Sequence, residues 1–389
     1  MKTYPPLALL FALICLVALG CNLGSQVAPS SGEIPTEAQP AATAITQPTL
    51  AHISSTEAPP PAPVQTLPPR PLDTAAPLPS PAVFGDDPNP PSSPVKLIFI
   101  HHSTGGMWLA DDFGGLGMAL MANNYFVSAT NYGWGPDNIG DRTDIINWPE
   151  WFTWDNRDAY MDALYNESGQ NFGDFGAWSR LSDDPGGENQ IIVLKSCFPN
   201  SDMWGSPVDP PASEINDQNT VVNAKAIYLD LLTYFATRPD KLFIIVTAPP
   251  LAEGEYWEGD QTAAERSTNI RSFNTWLMND WLVGYPYSNV AVFDYYNVLT
   301  SNGSDSRTDL TDTNEEPSDV GWEDGNHHRW WNGAVQYLQT VDNNYSAYPS
   351  DSYGDSHPTY AGQQKAAEEF VTLLNVFYNR WVSSMGALP

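Results

Sequence analysis

An open parallel β-sheet covered by helices on both faces is the architecture that residues 96–389 predict. Three observations carry it: short apolar runs, helix-period patterns between them, and turn-rich polar clusters directly after the runs. The runs are Leu97-Ile98-Phe99-Ile100, Phe126-Val127-Ser128-Ala129-Thr130, Ile191-Ile192-Val193-Leu194, Leu242-Phe243-Ile244-Ile245-Val246 and Val290-Ala291-Val292-Phe293. Four are almost continuously hydrophobic and rich in β-branched residues, as strands buried on both faces must be. The run at 126–130 is the weakest. Helical spacing links Ala224, Tyr228, Leu231 and Phe235, then Ile270, Phe273, Leu277 and Trp281, then Phe370, Leu373, Phe377 and Trp381. Sheets of this kind bind ligands at the carboxyl ends of their strands, so the residues just after each run are the ones to inspect.

What precedes the domain is of a different kind. Lys2 is followed by an apolar run from about Leu7 to Leu19, short for a membrane span and placed as a secretory signal is. It ends Ala18-Leu19-Gly20-Cys21, which resembles a bacterial lipobox with its first two positions exchanged, and the resemblance implies lipidation at Cys21. The alternative is an ordinary cleaved signal over residues 1–21. Residues 22–95 are Pro, Ala, Thr and Ser with few periodic apolar positions, and 18 of the 35 prolines fall between Asn22 and Lys96. Such a stretch favours extended polyproline conformations and reads as a disordered tether.

Charge and cysteine content narrow the function. With 46 Asp and Glu against 16 Lys and Arg the net charge is −30, which excludes a nucleic-acid backbone as the main partner. Of three cysteines, Cys15 and Cys21 belong to the signal. Cys197 alone remains in the domain, so no disulfide staples it. It reads as a small buried hydrophobe, with a reactive thiol as the alternative.

The strand ends hold the chemistry. After the first run stands His101-His102-Ser103-Thr104-Gly105-Gly106, where Ser103 either presents a nucleophilic hydroxyl on a strand-to-helix turn or caps the helix that follows. After the second comes a long loop from Asn131 to Thr143 in which Gly140 can offer a backbone N–H to an anion or form an ordinary turn. After the third, Lys195-Ser196-Cys197-Phe198-Pro199-Asn200-Ser201 brings the Asn200 amide to the same rim, as an oxyanion donor or as a turn starter. Before the last helix stands Gly354-Asp355-Ser356-His357-Pro358, where Asp355 can orient His357 as a general base or merely cap the helix.

In the order Ser, Gly, Asn and Asp-x-His, these elements resemble the SGNH (GDSL-type) hydrolase superfamily from about Lys96 to the C-terminal helix. The resemblance implies a three-layer α/β/α sandwich with a five-stranded parallel, flavodoxin-like sheet. It implies Ser103 as nucleophile, His357 as base oriented by Asp355, and an oxyanion hole from the Ser103 N–H, Gly140 and Asn200. The sequence departs from the superfamily's pattern in three places. His101-His102-Ser103 stands for Gly-Asp-Ser, a block ending Pro199-Asn200-Ser201 stands for Gly-x-Asn-Asp, and Gly354 fills the place of the Asp three before His. Asp351 or a backbone carbonyl is therefore an alternative orienting group.

The reading that follows is a serine esterase without cofactor or metal, acting on a small-molecule or glycan ester, with His102, Trp108 and Arg142 as pocket candidates. The membrane is its second partner, through the lipid anchor. Fourteen Trp and eighteen Tyr favour a carbohydrate ester among substrates, although aromatics also dominate cores. Two alternatives stay open. One is a glycan-binding lipoprotein without turnover. The other is a metal-dependent hydrolase using His101, His102, His327, His328 or His357, for which no ligand spacing is present. A polar, acidic insertion near residues 300–353 is expected as a lid or substrate-selecting segment.

Overall fold

The computed structural model describes residues 86–173, 176–301, 325–339, 343–349 and 355–386. The signal segment, Cys21, most of the tether and Asp351 lie outside them. The parallel sheet contains β1 (Val95–Ile100), β2 (Tyr125–Thr130), β3 (Ile191–Lys195), β4 (Leu242–Val246) and β5 (Val290–Phe293). Its order is β2-β1-β3-β4-β5, all parallel, the flavodoxin-like order.

Alternation along the strands divides the core in two. Leu97, Phe99, Val127, Ile191, Val193, Ile244 and Val246 point to one face. There they meet α1 (Ser103–Leu109), α2 (Leu116–Ala122) and the long final helix α8 (Tyr360–Met385). Ile98, Ile100, Ile192, Leu194, Phe243 and Ile245 point to the other, against α3 (Trp148–Phe152), α4 (Arg157–Asn166), α5 (Val221–Phe235) and α6 (Ala263–Asn279). The apolar runs are continuous because both faces are covered. Truncating one such residue, Ile98 to Ala for example, costs about 2–5 kcal/mol.

Two boundaries differ from the sequence reading. The domain begins at least as early as Asp86: Asn375 Nδ2 donates to the Pro88 carbonyl at 2.9 Å, and Arg380 pairs with Asp86 at 2.6 Å. Residues 86–94 thus lie along α8 and are not tether. Part of the expected lid is also core. After the short helix α7 (Tyr295–Leu299), β6 (His327–Trp331) and β7 (Ala334–Leu338) form an antiparallel hairpin. His327 and His328 within it are buried, and His328 stacks on Phe293. Asn332 and Gly333, both at positive φ, make its turn, an Asn-Gly signal that was present in the sequence.

Candidate active site

The sheet order changes direction between β1 and β3, and the crevice beyond their carboxyl ends is where such folds take ligands. Ser103, the first residue of α1, stands on one side of it. Residues 196–201 stand on the other, in a short helical turn that Pro199 favours by its fixed φ. The Ser103 Oγ lies 3.2 Å from Cys197 Sγ, and the Thr104 Oγ1 lies 3.6 Å from the same sulfur. Ser103 is buried, and Cys197 is 5% exposed. The sequence reading took Cys197 as a small buried hydrophobe, with a reactive thiol as the alternative; it is buried, and its thiol lies against the candidate nucleophile.

His357 reaches the same place from the start of α8. Its ring meets Phe198 edge to face at 4.8 Å, and it lies within electrostatic reach of Cys197. Asp355 accepts from both the His357 N–H, at 2.9 Å, and Nδ1, at 2.7 Å, through one oxygen, Oδ1. This is an Asx-type turn, which folds the carboxylate back onto residue i+2 and explains how a spacing of two serves. Burial alone would lower the His357 pKa. The Asp355 hydrogen bond and charge outweigh it, so the imidazole titrates above the usual histidine range. Nε2 has no hydrogen bond among the described residues.

His102 is differently placed. Its Nε2–H donates to the Gly140 carbonyl, and its Nδ1 accepts from the Thr143 hydroxyl at 3.0 Å. Both nitrogens are therefore committed, and burial holds the ring below the ordinary pKa. Tyr132 stacks on it at 4.0 Å and is itself 41% exposed. Strand alternation sends the adjacent His101 to the opposite face, against Phe99 at 5.0 Å. There burial, followed by Lys195 and His102, lowers its pKa to about 3.

The expected oxyanion donors need correction. The Gly140 N–H donates to the Trp134 carbonyl at 2.8 Å. Glycine is required there by space, because a Cβ would lie 2.3 Å from the Asn131 carbonyl oxygen and 2.8 Å from Trp134 Cβ. The Asn200 amide donates to Asp144 Oδ1 at 2.7 Å and to the Cys197 carbonyl at 3.2 Å, while its Oδ1 accepts from the Ile145 N–H at 2.7 Å. The Asn200 side chain therefore ties its own turn to the loop at Asp144 and Ile145. The Ser103 N–H, first amide of α1, has no acceptor among the described residues.

Two pocket candidates also fall elsewhere. Trp108 is fully buried against Phe99, Tyr295 and Phe370, in the core beneath α8. Arg142 pairs with Glu150 at 2.8 Å and donates to the Asp137 carbonyl at 3.2 Å, bracing the Gly140 loop. The histidines weighed as metal ligands are dispersed: His327 pairs with Glu369, and His328 accepts from the Asp294 N–H. Among the described residues no three acidic, His or Cys side chains cluster closely enough to hold an ion.

No protein-family model matches the chain, and no curated protein matches it at a significant level. One similar solved structure is that of a carbohydrate esterase family 2 enzyme with its carbohydrate-binding domain, from Corynascus thermopiles (Myceliophthora fergusii). It shares 15% identity at a TM-score of 0.24, over 53% of this chain and 57% of that one. The chain thus spans a little over half the length of that protein.

Proposed function

We propose that the protein is a serine esterase of SGNH type, with Ser103 as nucleophile and the His357–Asp355 pair as its base. The observation that carries this reading is the convergence on Cys197 and Phe198 of a strand-end serine and a carboxylate-oriented imidazole with Nε2 uncommitted. His102 is a poor competitor for the base, since both its nitrogens are engaged.

In the proposed reaction the Ser103 hydroxyl turns from the thiol toward His357 Nε2, which takes its proton as Oγ attacks an ester carbonyl. Charge on the tetrahedral oxygen falls to the Ser103 N–H, and to Asn200 if it releases its longer bond to the Cys197 carbonyl. The ester C–O bond breaks, and His357 returns the proton to the leaving alcohol. Water, activated by the same imidazole, then frees the acid and restores Ser103. The missing Ser103–His357 hydrogen bond does not oppose this, because catalytic contacts often tighten only when substrate is bound.

A carbohydrate O-acyl ester is the proposed substrate. Its support is the exposed Tyr132 ring backed by His102, beside a cleft of about 450 Å³ lined by Tyr132, Trp134, Glu167 and Asn171. We place the enzyme at the outer face of a membrane through Cys21, a point tested by metabolic labelling with a palmitate analogue, which Cys21→Ala should abolish.

A second reading, a glycan-binding protein without turnover, draws on the engagement of the Gly140 and Asn200 donors. A fluorophosphonate probe decides between them. The esterase reading expects wild-type labelling that Ser103→Ala and His357→Ala both lose, with turnover of acetylated sugars or short aryl esters. An unlabelled, folded wild type would favour the binder.

A further inference from the structure

We propose that Glu255 is a positioning residue for His357, acting through the Ser356 that precedes it. This rests on the reading of His357 as base. Glu255 lies in a short turn, Glu253–Glu255, in the loop after β4. Its Oε2 accepts the Ser356 hydroxyl at 2.6 Å and the Ser356 N–H at 3.2 Å. The Ser356 Oγ in turn accepts the Ala252 N–H at 2.9 Å, and Ser356 is fully buried. The strand-end loop and the histidine turn, about a hundred residues apart in the chain, are thus locked by three hydrogen bonds, two of them charge-assisted.

The division of labour with Asp355 is geometric. Asp355 sets how the imidazole is turned, because its Oδ1 accepts from His357 Nδ1 as well as from the His357 N–H. Glu255 sets where the backbone carrying that imidazole stands. The same loop is fixed at its far end: the Trp257 carbonyl accepts from Arg266, which forms a buried pair with Asp202 at 2.6 Å. Asp202 is two residues beyond Asn200. One loop therefore bridges the Cys197–Asn200 turn that faces Ser103 and the turn that bears His357. Releasing Glu255 frees the second of these to drift, and a displacement on the order of 1 Å can cost about a hundredfold in rate.

The test compares Glu255→Ala, Glu255→Gln and Ser356→Ala in the full chain. On a short aryl ester, kcat should fall roughly 10- to 100-fold in Glu255→Ala and Ser356→Ala with KM within about twofold of wild type. Glu255→Gln, which keeps an acceptor for the serine hydroxyl, should recover most of the loss. The His357 imidazole NMR signals should move in Glu255→Ala and return toward wild type in Glu255→Gln. A lowered melting temperature with kcat and imidazole signals unchanged would overturn the proposal, as would a rise in KM alone. If wild type neither turns over esters nor takes the fluorophosphonate, the esterase reading fails separately. The imidazole signals then decide: movement in Glu255→Ala upholds the positioning role, and its absence ends it.

Discussion

Two histidine–carboxylate pairs in this domain have the same length and opposite surroundings. His327 Nδ1 and Glu369 Oε1 are 2.7 Å apart, as are His357 Nδ1 and Asp355 Oδ1. The first pair is sealed, with side chains 0% and 2% exposed, and the second opens on the crevice at 12% and 35%. Glu369 is saturated: it also takes Lys365 Nζ at 2.9 Å and the His328 N–H at 2.9 Å. Lys365 further donates to the Val298 and Asn326 carbonyls. That network fastens the β6-β7 hairpin to α8. The bond itself therefore does not mark a reactive histidine. What sets His357 apart is an uncommitted Nε2 on a partly exposed ring against Phe198 of the 196–201 turn.

The sharpest way to break this contrast is to remove the proposed catalytic members on one side. Ser103→Ala or His357→Ala should lower kcat by about 10³-fold or more while leaving the melting temperature nearly unchanged. Steady-state ester hydrolysis and a thermal scan on the same preparations check both halves. A variant that melts early yet keeps its rate would place these residues with the structural pair.

The opposite result is expected at the sealed pair. Glu369→Ala leaves the Lys365 ammonium buried without its carboxylate, which costs about 3–5 kcal/mol of stability. Chemical denaturation should show that loss, whereas activity per folded molecule should hold. Acid should find the same weakness. Burial would raise the Glu369 pKa, but Lys365 and His327 outweigh it and hold the carboxyl at about 2. Its contribution is thus present above the unfolded carboxylate value, near 4, and is lost as pH falls toward 2.

The two regions were not equally legible. Four strands announced themselves because both sheet faces are covered, and β2 formed despite the buried Ser128 and Thr130 because β1 pairs with its full length. Ser103, Asn200 and His357 were legible as strand-end and helix-entry residues. The hairpin was read as polar insertion because its buried members are His and Arg. The partners of His327 and His328, Glu369 and Asp294, lie in other elements and leave no periodic trace. The Glu255–Ser356 tie was invisible for the same reason. Gly140 was misjudged because a glycine demanded by close packing and one that offers its N–H look alike in sequence.

A smaller effect sharpens the role of Asp355. If His357 is the base, as proposed, it acts when neutral, so the rate should rise with pH through a raised imidazole pKa. Asp355→Asn removes the group that raises it and leaves burial, which lowers it. The acidic limb of kcat/KM should therefore move to lower pH while the plateau falls, roughly 10-fold or more. For stability the sign is reversed: the charged pair contributes fully below the unfolded histidine value and is lost as pH rises through the folded one.

The smallest effect is expected at Cys197, and it separates a neighbour from a nucleophile. The thiol touches Ser103 Oγ at 3.2 Å and lies within electrostatic reach of His357, so proximity alone would allow it to form the acyl-enzyme. Exposure does not separate the two, since Ser103 is 0% and Cys197 5% exposed. If Cys197 only supports Ser103, Cys197→Ala should keep kcat within about tenfold and Cys197→Ser should lie closer still to wild type. Trapping the acyl group and sequencing the modified peptide should place it on Ser103 in all of these variants. Transfer of the label to the 196–201 turn, with Cys197→Ala as inactive as Ser103→Ala, would make sulfur the attacking atom and leave Ser103 as its hydrogen-bond partner.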